Sequence, residues 1–267
     1  MGDLVGKLVG MGLVAAIFVP LERRFALHPG RRLLRAGWKT DTVHFFFSHG
    51  LSELVSVIPI GLAIALTDPL VSTRLEDLIA AQPRALQLLE ALFIVELTGY
   101  WAHRAMHAVP FLWRIHSVHH SSRQLDWLAA VRVHPLDQVL GRTLGFVALR
   151  LLGFGPAMTG GALVVVVLWA IFLHANVRVR FPRLERFLAT PAFHHWHHAN
   201  DAEARHCNFA GLFPFVDRLF GTLHLPKDAW PHSYGTDDVV PDGYLGQLRH
   251  PLGPGARSYG APARPAS

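Results

Sequence analysis

The chain has little of several residue types, and each shortage excludes a class of protein. One cysteine, Cys207, cannot form an internal disulfide and is too few for an iron–sulfur cluster or a cysteine-based zinc site. Charged residues make up only 16% of the chain, against about a quarter in a typical soluble domain. Apolar residues make up 51%. The composition therefore favours a protein embedded in a bilayer.

The formal net charge of +6 could suggest nucleic acid or anionic lipid as a partner, and the positions of the cations decide between them. Six cations lie in one short loop between two apolar segments: Arg23, Arg24, Arg31, Arg32, Arg35 and Lys39. Such a loop sets membrane topology, and it is not a nucleic-acid-binding stripe. Twenty-two arginines against three lysines suggest a GC-rich genome, so we expect a bacterial inner-membrane protein.

Five apolar stretches predict an all-α, multi-pass membrane bundle with four to five membrane-embedded helices. They cover residues 4–20, 42–66, 85–100, 136–152 and 156–173. The first lacks the leading charges and cleavage site of a secretory signal, so it is expected to be a short span or an interfacial helix. The fourth is the weakest, because Arg142 and Arg150 interrupt it.

These stretches divide the chain into three predicted regions. Residues 1–84 hold N-terminal membrane helices and the basic loop, and residues 85–225 hold the histidine-rich region. Residues 226–267 are rich in proline and glycine, so we expect them to form a polar C-terminal tail that is partly disordered. The disorder is expected above all beyond Pro251.

Histidine is the residue in excess. Eleven of the eighteen histidines lie between His103 and His198, and eight of them form three close spacings. The spacings are His103-x-x-x-His107, His116-x-x-His119-His120 and His194-x-x-His197-His198. A single histidine is usually solvated or hydrogen-bonded, but so many beside apolar runs need a compensating partner. Together they predict a site for two metal ions.

Helical spacing suggests how the ligands are shared. Residues four apart lie on one face of a helix, so His103 and His107 can bind the same ion. In each HxxHH box we expect the first and fourth residues to bind one ion, and the adjacent histidine to bind its neighbour.

Topology brings the boxes together. If the basic loop is cytoplasmic, the next span leaves the cytoplasm and the one starting at residue 85 returns to it with His103 and His107. Two further segments then go out and back, so that His174 and the third box reach the same face. We therefore predict a cytoplasmic, histidine-rich helical cap on the membrane bundle.

The order of these boxes resembles the fatty acid hydroxylase and sterol desaturase superfamily of membrane-bound enzymes. The resemblance covers most of residues 96–225. Its motifs are Tyr100-Trp101-Ala102-His103-Arg104, Arg132-Val133-His134-Pro135, Thr190-Pro191, Asn208-Phe209-Ala210-Gly211 and Asp217-Arg218-Leu219-Phe220-Gly221-Thr222. The chain departs from the family at Val216, where a tryptophan is usual, and we expect this to affect packing more than chemistry.

The resemblance implies a di-iron centre that activates O2 and hydroxylates or desaturates a C–H bond of a lipid. The implied ligands are His103, His107, His116, His119, His120, His134, His174, His194, His197 and His198. His134 and His174 are taken from the family's extra ligands, and the alternative for each is to hold a ligand by a hydrogen bond without binding metal. The chemistry needs two electrons per O2, and the chain has no flavin or nucleotide fingerprint. A separate redox partner of ferredoxin or cytochrome type is therefore implied.

Other polar residues are candidates for supporting roles. Glu96 lies in an apolar run seven residues before His103, so we expect it to accept a hydrogen bond from a ligand N–H, with pairing to Arg104 as the alternative. Asn176, Asn208, Asp137 and Asp217 are expected to support ligands in the same way. His195 is expected to be solvated. Seven more histidines are expected in loops or at the interface, with His206 as the one alternative candidate for a role at the site: His28, His44, His49, His206, His224, His232 and His250.

Two other functions remain open from the residues alone. A zinc-dependent membrane hydrolase would use the same histidines, although it has more ligands than zinc needs. A divalent-metal transporter or sensor would need ligands deep within the spans. The lipid substrate, whether sterol, fatty acyl, sphingoid or carotenoid, is not determined, and neither is the oligomeric state.

Overall fold

The computed structural model describes residues 2–253, and helices are the regular secondary structure of that range. Its ten α-helices are α1 (Gly2–Arg24), α2 (Trp38–Thr67), α3 (Thr73–Ala80), α4 (Arg84–Ala108), α5 (Pro110–His120), α6 (Asp137–Leu151), α7 (Pro156–His174), α8 (Pro191–His197), α9 (Pro214–Leu219) and α10 (Tyr244–Arg249). No strand forms among the described residues, which contain only two isolated antiparallel bridges. The predicted all-α class is confirmed.

Four of these helices are long and apolar enough to cross a membrane, judged by length and composition. They are α1 from Leu4, α2 with the short turn that extends it to Leu70, α4 and α7. Most of their side chains face outward, which suits contact with lipid, so the chain is an integral membrane protein. The apolar stretch at residues 136–152 forms α6, whose 15 residues rise only about 22 Å and are too short for a full span.

Small residues let the bundle helices approach closely. α6 packs against α2 and α4, and α7 packs against α4. A Cβ atom at Gly145 of α6 would lie 3.5 Å from Thr98 Oγ1 of α4, and Ala91 and Ala162 are fully buried in the same contact region. Close backbone approach is the usual means of helix packing in a bilayer, where apolar side chains gain little from leaving lipid.

The histidine-bearing segments meet at one end of the bundle, here called the histidine end. α4, α5 and α7 end there, α6 begins there, and α8 brings the third box to the same place, as the close approach of their histidines shows. The predicted convergence is therefore confirmed. The membrane face to which this end points stays a prediction.

The basic loop between α1 and α2 lies at the same end. The backbone N–H of Arg178 donates to the carbonyl of Phe25 at 2.7 Å, and the N–H of Leu27 donates to the carbonyl of Asn176 at 3.2 Å. These bonds join the loop to the segment that follows α7. The cations and the histidines are thus brought to one end of the molecule.

Residues 226–253, here called the C-terminal strap, fold back over the histidine end. Thr40 Oγ1 donates to the carbonyl of Asp242 at 2.7 Å, and His44 Nε2 lies 2.7 Å from Gln247 Oε1. The strap, which is the first part of the predicted C-terminal tail, is therefore packed against α2. The disorder expected further along falls, from residue 254, outside the described residues.

Candidate metal centre

Nine histidines gather at the histidine end in two groups. In each group the nitrogen atoms that could bind a metal lie within 4.8 Å of one another. The five-histidine group consists of His103, His107, His116, His120 and His197, and the four-histidine group consists of His119, His174, His194 and His198. The structure thus brings all eight box histidines together with His174.

The short helices divide their histidines between the two groups. On α5, His116 and His120 belong to the five-histidine group and His119 belongs to the four-histidine group. The third box, on α8, is divided in the same way. The expected pairing of the first and fourth residues is wrong, because residues four apart differ by about 40° around a helix and residues three apart by about 60° in the opposite sense.

Five of the nine histidines use Nδ1, on the outer side of the ring, to donate a hydrogen bond to an oxygen atom. The acceptors are the Phe209 carbonyl for His103 (2.8 Å), the Asp137 carboxylate for His116 (2.7 Å), the Cys207 carbonyl for His197 (2.8 Å), the Arg132 carbonyl for His119 (3.0 Å) and the Ala170 carbonyl for His174 (2.7 Å). Carbonyl and carboxylate oxygens only accept, so each Nδ1 carries the hydrogen. In the neutral ring Nε2 then presents a bare lone pair.

Those lone pairs face one another. His103 Nε2 lies 3.0 Å from His116 Nε2, and His174 Nε2 lies 3.2 Å from His119 Nε2. Neither partner has a hydrogen to share, so both contacts are repulsive unless a cation lies between the nitrogens. Two imidazoles bound about 2.0–2.1 Å from one metal ion stand about 3 Å apart, so the spacing fits two metal ions.

Burial keeps the rings outside the spans neutral, as a metal ligand must be. Burial, and then the neighbouring imidazoles, hold the pKa of His120 and His198 well below the ordinary value. Nε2 of His107, His120 and His197 is buried and has no hydrogen-bond partner. Neutral, unpartnered nitrogens are suited to metal binding, which requires deprotonated ligands.

His134 lies outside both groups, although the resemblance implied that it binds metal. Its Nδ1 accepts a hydrogen bond from the Leu136 N–H at 3.1 Å, and its Nε2 donates to the Leu248 carbonyl at 3.2 Å. Both ring nitrogens are therefore engaged elsewhere. The ring joins the turn before α6 to the C-terminal strap, so we remove His134 from the expected ligands.

Glu96 does not accept a hydrogen bond from a ligand histidine, nor does it pair with Arg104. Its carboxylate accepts from three backbone N–H groups, those of residues 211–213, at 2.9 to 3.3 Å. Asp217 holds the preceding backbone N–H groups, of Phe209 and Ala210, at 2.8 and 2.9 Å. The two carboxylates thus fix the loop whose Phe209 carbonyl orients His103.

The two asparagines also hold backbone and contact no ligand ring. Asn176 Oδ1 accepts from the His28 N–H at 3.1 Å. Asn208, at a left-handed φ of 56°, donates to the carbonyls of Phe193 and His224. Asn208 therefore supports the backbone of α8, and Asn176 supports the basic loop. A short polar side chain tolerates the left-handed conformation better than most residues.

His195 was expected to be solvated, and it is fully buried. Its Nε2 donates to the Ala175 carbonyl at 3.1 Å, and its Nδ1 lies 2.9 Å from the hydroxyl of Tyr234. The ring therefore joins α8 to the residue after His174 and to the strap. Its position inside the third box, beside ligands, was the signal that sequence reasoning undervalued.

His44 was expected at an interface and is also buried, between Ser48 Oγ and Gln247 Oε1 at 2.7 Å each. His206 lies close to the site but outside both groups, with its ring centroid 5.9 Å from that of His107. Cys207 is buried, and burial raises the pKa of its thiol.

An ion network at the start of α2, which sequence reasoning did not find, adjoins the four-histidine group. Asp41 accepts from Arg132 Nε at 2.5 Å and from Arg35 Nη2 at 2.6 Å, and Arg35 also binds Asp126 at 2.7 Å. Arg132 is the residue whose carbonyl accepts from His119. Arg35 was counted only as a topology charge, and nothing in its local sequence distinguishes it from its neighbours.

The family model described as fatty acid hydroxylase matches residues 88–222, which is half of the chain and includes all nine histidines of the two groups. The chain belongs to this family. The basic loop, the ion-network residues Arg35 and Asp41, and the C-terminal strap lie outside the matched range.

Curated relatives share the same region. The chain is 29% identical to an alkylglycerol monooxygenase of Danio rerio over 54% of this chain and 33% of the relative. It is 25% identical to a Delta(7)-sterol 5(6)-desaturase of Gibberella zeae over 77% of this chain and 61% of the relative. It is 30% identical to a very-long-chain aldehyde decarbonylase of Oryza sativa over 51% and 52%.

The chain thus spans only about a third of the length of the alkylglycerol monooxygenases that it matches. No solved structure is similar to it.

Proposed function

We propose that this protein is an O2-dependent, di-iron membrane oxidoreductase that hydroxylates or desaturates a C–H bond of a lipid. The observation that carries the proposal is the pair of facing imidazole lone pairs in each group, such as those of His103 and His116 at 3.0 Å. The family, whose relatives are named as monooxygenase and desaturase, supports iron and oxygen chemistry at this site.

The two groups would each hold one iron ion. The five-histidine group offers His103, His107, His116, His120 and His197, and the four-histidine group offers His119, His174, His194 and His198. Iron bound there would supply the activation of O2 and the removal of hydrogen from an unactivated C–H bond. The surrounding chain orients the rings through their Nδ1 hydrogen bonds and keeps them neutral by burial.

The partial exposure of one histidine supports a lipid substrate. Eight of the nine histidines are buried, and only His103 is partly exposed. His103 lies near the end of α4, which is apolar enough to cross the membrane. We place the approach of the substrate along this helix. The names of the relatives, which refer to an alkylglycerol, a sterol and a very-long-chain aldehyde, share only a large hydrocarbon part, so the substrate class stays at lipid.

The reaction needs two electrons for each O2, and these have to come from outside the chain. Among the residues of the sequence there is one cysteine and no glycine-rich nucleotide fingerprint. A separate ferredoxin- or cytochrome-type donor is therefore part of the proposal. The basic loop supports a cytoplasmic histidine end, where such a donor would have access.

The two other functions have less support. A zinc hydrolase would need about three protein ligands and a water, whereas nine imidazoles gather here. A transporter would bind metal near the middle of the bilayer, whereas these histidines lie at helix ends.

The deciding experiment measures metal identity and stoichiometry in detergent-purified protein produced with iron, by elemental analysis and Mössbauer spectroscopy. We expect about two irons per chain, magnetically coupled, and O2-dependent change of added lipids. One zinc per chain with oxygen-independent turnover would contradict the proposal, provided that protein purified without exposure to zinc gives the same result.

A further inference from the structure

The C-terminal strap contacts both of the short helices that carry HxxHH boxes. Beside α8, the N–H of Gly235 donates to the His198 carbonyl at 3.2 Å, and the N–H of Asn200 donates to the Ser233 carbonyl at 3.0 Å. Beside α5, His250 Nε2 lies 3.2 Å from Ser117 Oγ. The strap therefore connects the second and third boxes, although it lies outside the range matched by the family model.

One side-chain contact of the strap acts at the five-histidine group. The indole N–H of Trp113 donates to Asp238 Oδ2 at 2.6 Å. Trp113 is 2% exposed, and its ring centroid lies 5.0 Å from that of His107 and 5.4 Å from that of His120. The hydrogen bond to Asp238 thus fixes the ring against which two ligand imidazoles pack.

A second side-chain contact acts at the four-histidine group. Because His195 Nε2 donates to the Ala175 carbonyl, its Nδ1 has to accept, so the Tyr234 hydroxyl donates to it at 2.9 Å. Ala175 follows His174, and His195 follows His194. The His195 ring therefore joins the two chain segments that carry these ligands, and the hydroxyl of Tyr234 fixes the orientation of that ring.

The two helices that carry the boxes need tertiary support because they are short. α5 has 11 residues and α8 has seven. Helices of this length are marginal in isolation, so their orientation depends on tertiary contacts. Contacts that orient ligands are typically worth about 10- to 100-fold in metal affinity or activity.

We propose that the C-terminal strap completes the metal centre, with Asp238 as a positioning residue for the five-histidine group and Tyr234 as a positioning residue for the four-histidine group. The inference rests on the two-metal centre of the proposed function. It assigns a role to a segment that neither the family match nor the histidine boxes include.

The test compares the rate at which full-length, iron-loaded protein in detergent loses metal to a chelator. Asp238→Ala is compared with Asp242→Ala, because Asp242 is an aspartate of the same strap whose side chain is exposed. Tyr234→Phe is compared with Tyr244→Phe, because Tyr244 lies in the same strap but packs on His44 of α2. Asp238→Asn is the conservative variant, since its amide oxygen can still accept from Trp113.

We expect Asp238→Ala and Tyr234→Phe each to lose one of the two metals about tenfold faster than its control, with Asp238→Asn close to wild type. The Mössbauer signal of the retained protein should change before metal is lost, whereas general destabilisation would leave that signal unchanged. Combining Asp238→Ala with Trp113→Phe should give less than the sum of the two single effects, because both remove the hydrogen bond between Trp113 and Asp238. Combining it with Tyr234→Phe should speed the loss of both metals.

If the wild type holds two metals but Asp238→Ala and Tyr234→Phe lose metal no faster than their controls, the role of the strap is wrong. The proposed function would remain intact. Loss of both metals together in each single variant would overturn the assignment of Asp238 and Tyr234 to separate groups. A wild type that holds no metal pair would refute the proposed function itself.

Discussion

At the scale of single residues, the centre depends on which oxygen each ligand imidazole contacts with its outer nitrogen. Four of the five acceptors are backbone carbonyls, and three of these, at Phe209, Arg132 and Cys207, lie in loops that have to be held in place by other residues. The fifth is the carboxylate of Asp137, on His116. Side chains that fix those loops therefore influence the metal centre without touching a ligand.

Glu96 is the residue on which this idea can be tested. Glu96→Gln replaces one carboxylate oxygen with an NH2 group, which cannot accept from the backbone N–H groups of residues 211–213. The loop that ends in those residues should loosen, and His103 should lose its fixed acceptor at Phe209. We expect roughly a tenfold loss in metal affinity, measured by metal titration, with membrane insertion unchanged.

The matched control is Glu90→Gln on the same helix, where one carboxylate oxygen accepts from the Gln82 amide at 3.4 Å and the other has no hydrogen-bond partner. Its metal affinity should equal that of the wild type. If Glu96→Gln lowers the yield of inserted protein as much as it lowers metal affinity, then Glu96 has a general structural role and this explanation is wrong.

At the scale of helices, the sequence was sufficient wherever a short-range rule applied. Apolar length predicted the spans, and histidine spacing predicted which residues meet at the centre. The pairing within each HxxHH box was wrong because the adjacent histidine, at i+4, shares a face with the first residue better than the i+3 histidine does. Contacts between distant segments, such as Tyr234 with His195 or Asp41 with Arg132, leave no periodic signal.

The beginning of α2 gives a prediction at this scale. Asp41 is fully buried between Arg35 and Arg132, and Asp41→Asn would leave Arg132 without its carboxylate partner. Breaking a buried ion pair from one side costs about 3–5 kcal/mol. We expect a clear fall in the melting temperature of the metal-free protein in detergent, measured by intrinsic fluorescence.

The exposed pair of Arg205 and Asp237 provides the control, because such a pair contributes about 0–1 kcal/mol. Asp237→Asn should leave the melting temperature nearly unchanged. We interpret the network as a structural support for the carbonyl that accepts from His119. This interpretation is wrong if Asp41→Asn has the melting temperature of the control and binds metal like the wild type.

At the scale of the whole molecule, the basic loop, the histidine groups and the C-terminal strap all lie at one end of a bundle with four helices able to span a membrane. Sequence reasoning reached this arrangement by counting α6 as a crossing. α6 is too short to span alone, yet with α7 it forms a hairpin that leaves the histidine end at Asp137 and returns to it at His174. The direction of the chain therefore agrees with the prediction even where the length of one helix does not.

This arrangement predicts which positions share a side of the membrane. Three exposed residues can each be replaced by a single cysteine: Arg32 in the basic loop, Lys227 in the strap and Leu70 beyond the far end of α2. The natural Cys207 is buried and should stay unlabelled. With a maleimide that does not cross membranes, Arg32→Cys and Lys227→Cys should react in inverted vesicles and Leu70→Cys only in intact spheroplasts, because the positive loop stays cytoplasmic. Labelling of Arg32→Cys and Lys227→Cys from opposite sides would contradict the single histidine end, and labelling of both only from outside would reverse the orientation while leaving the fold as described.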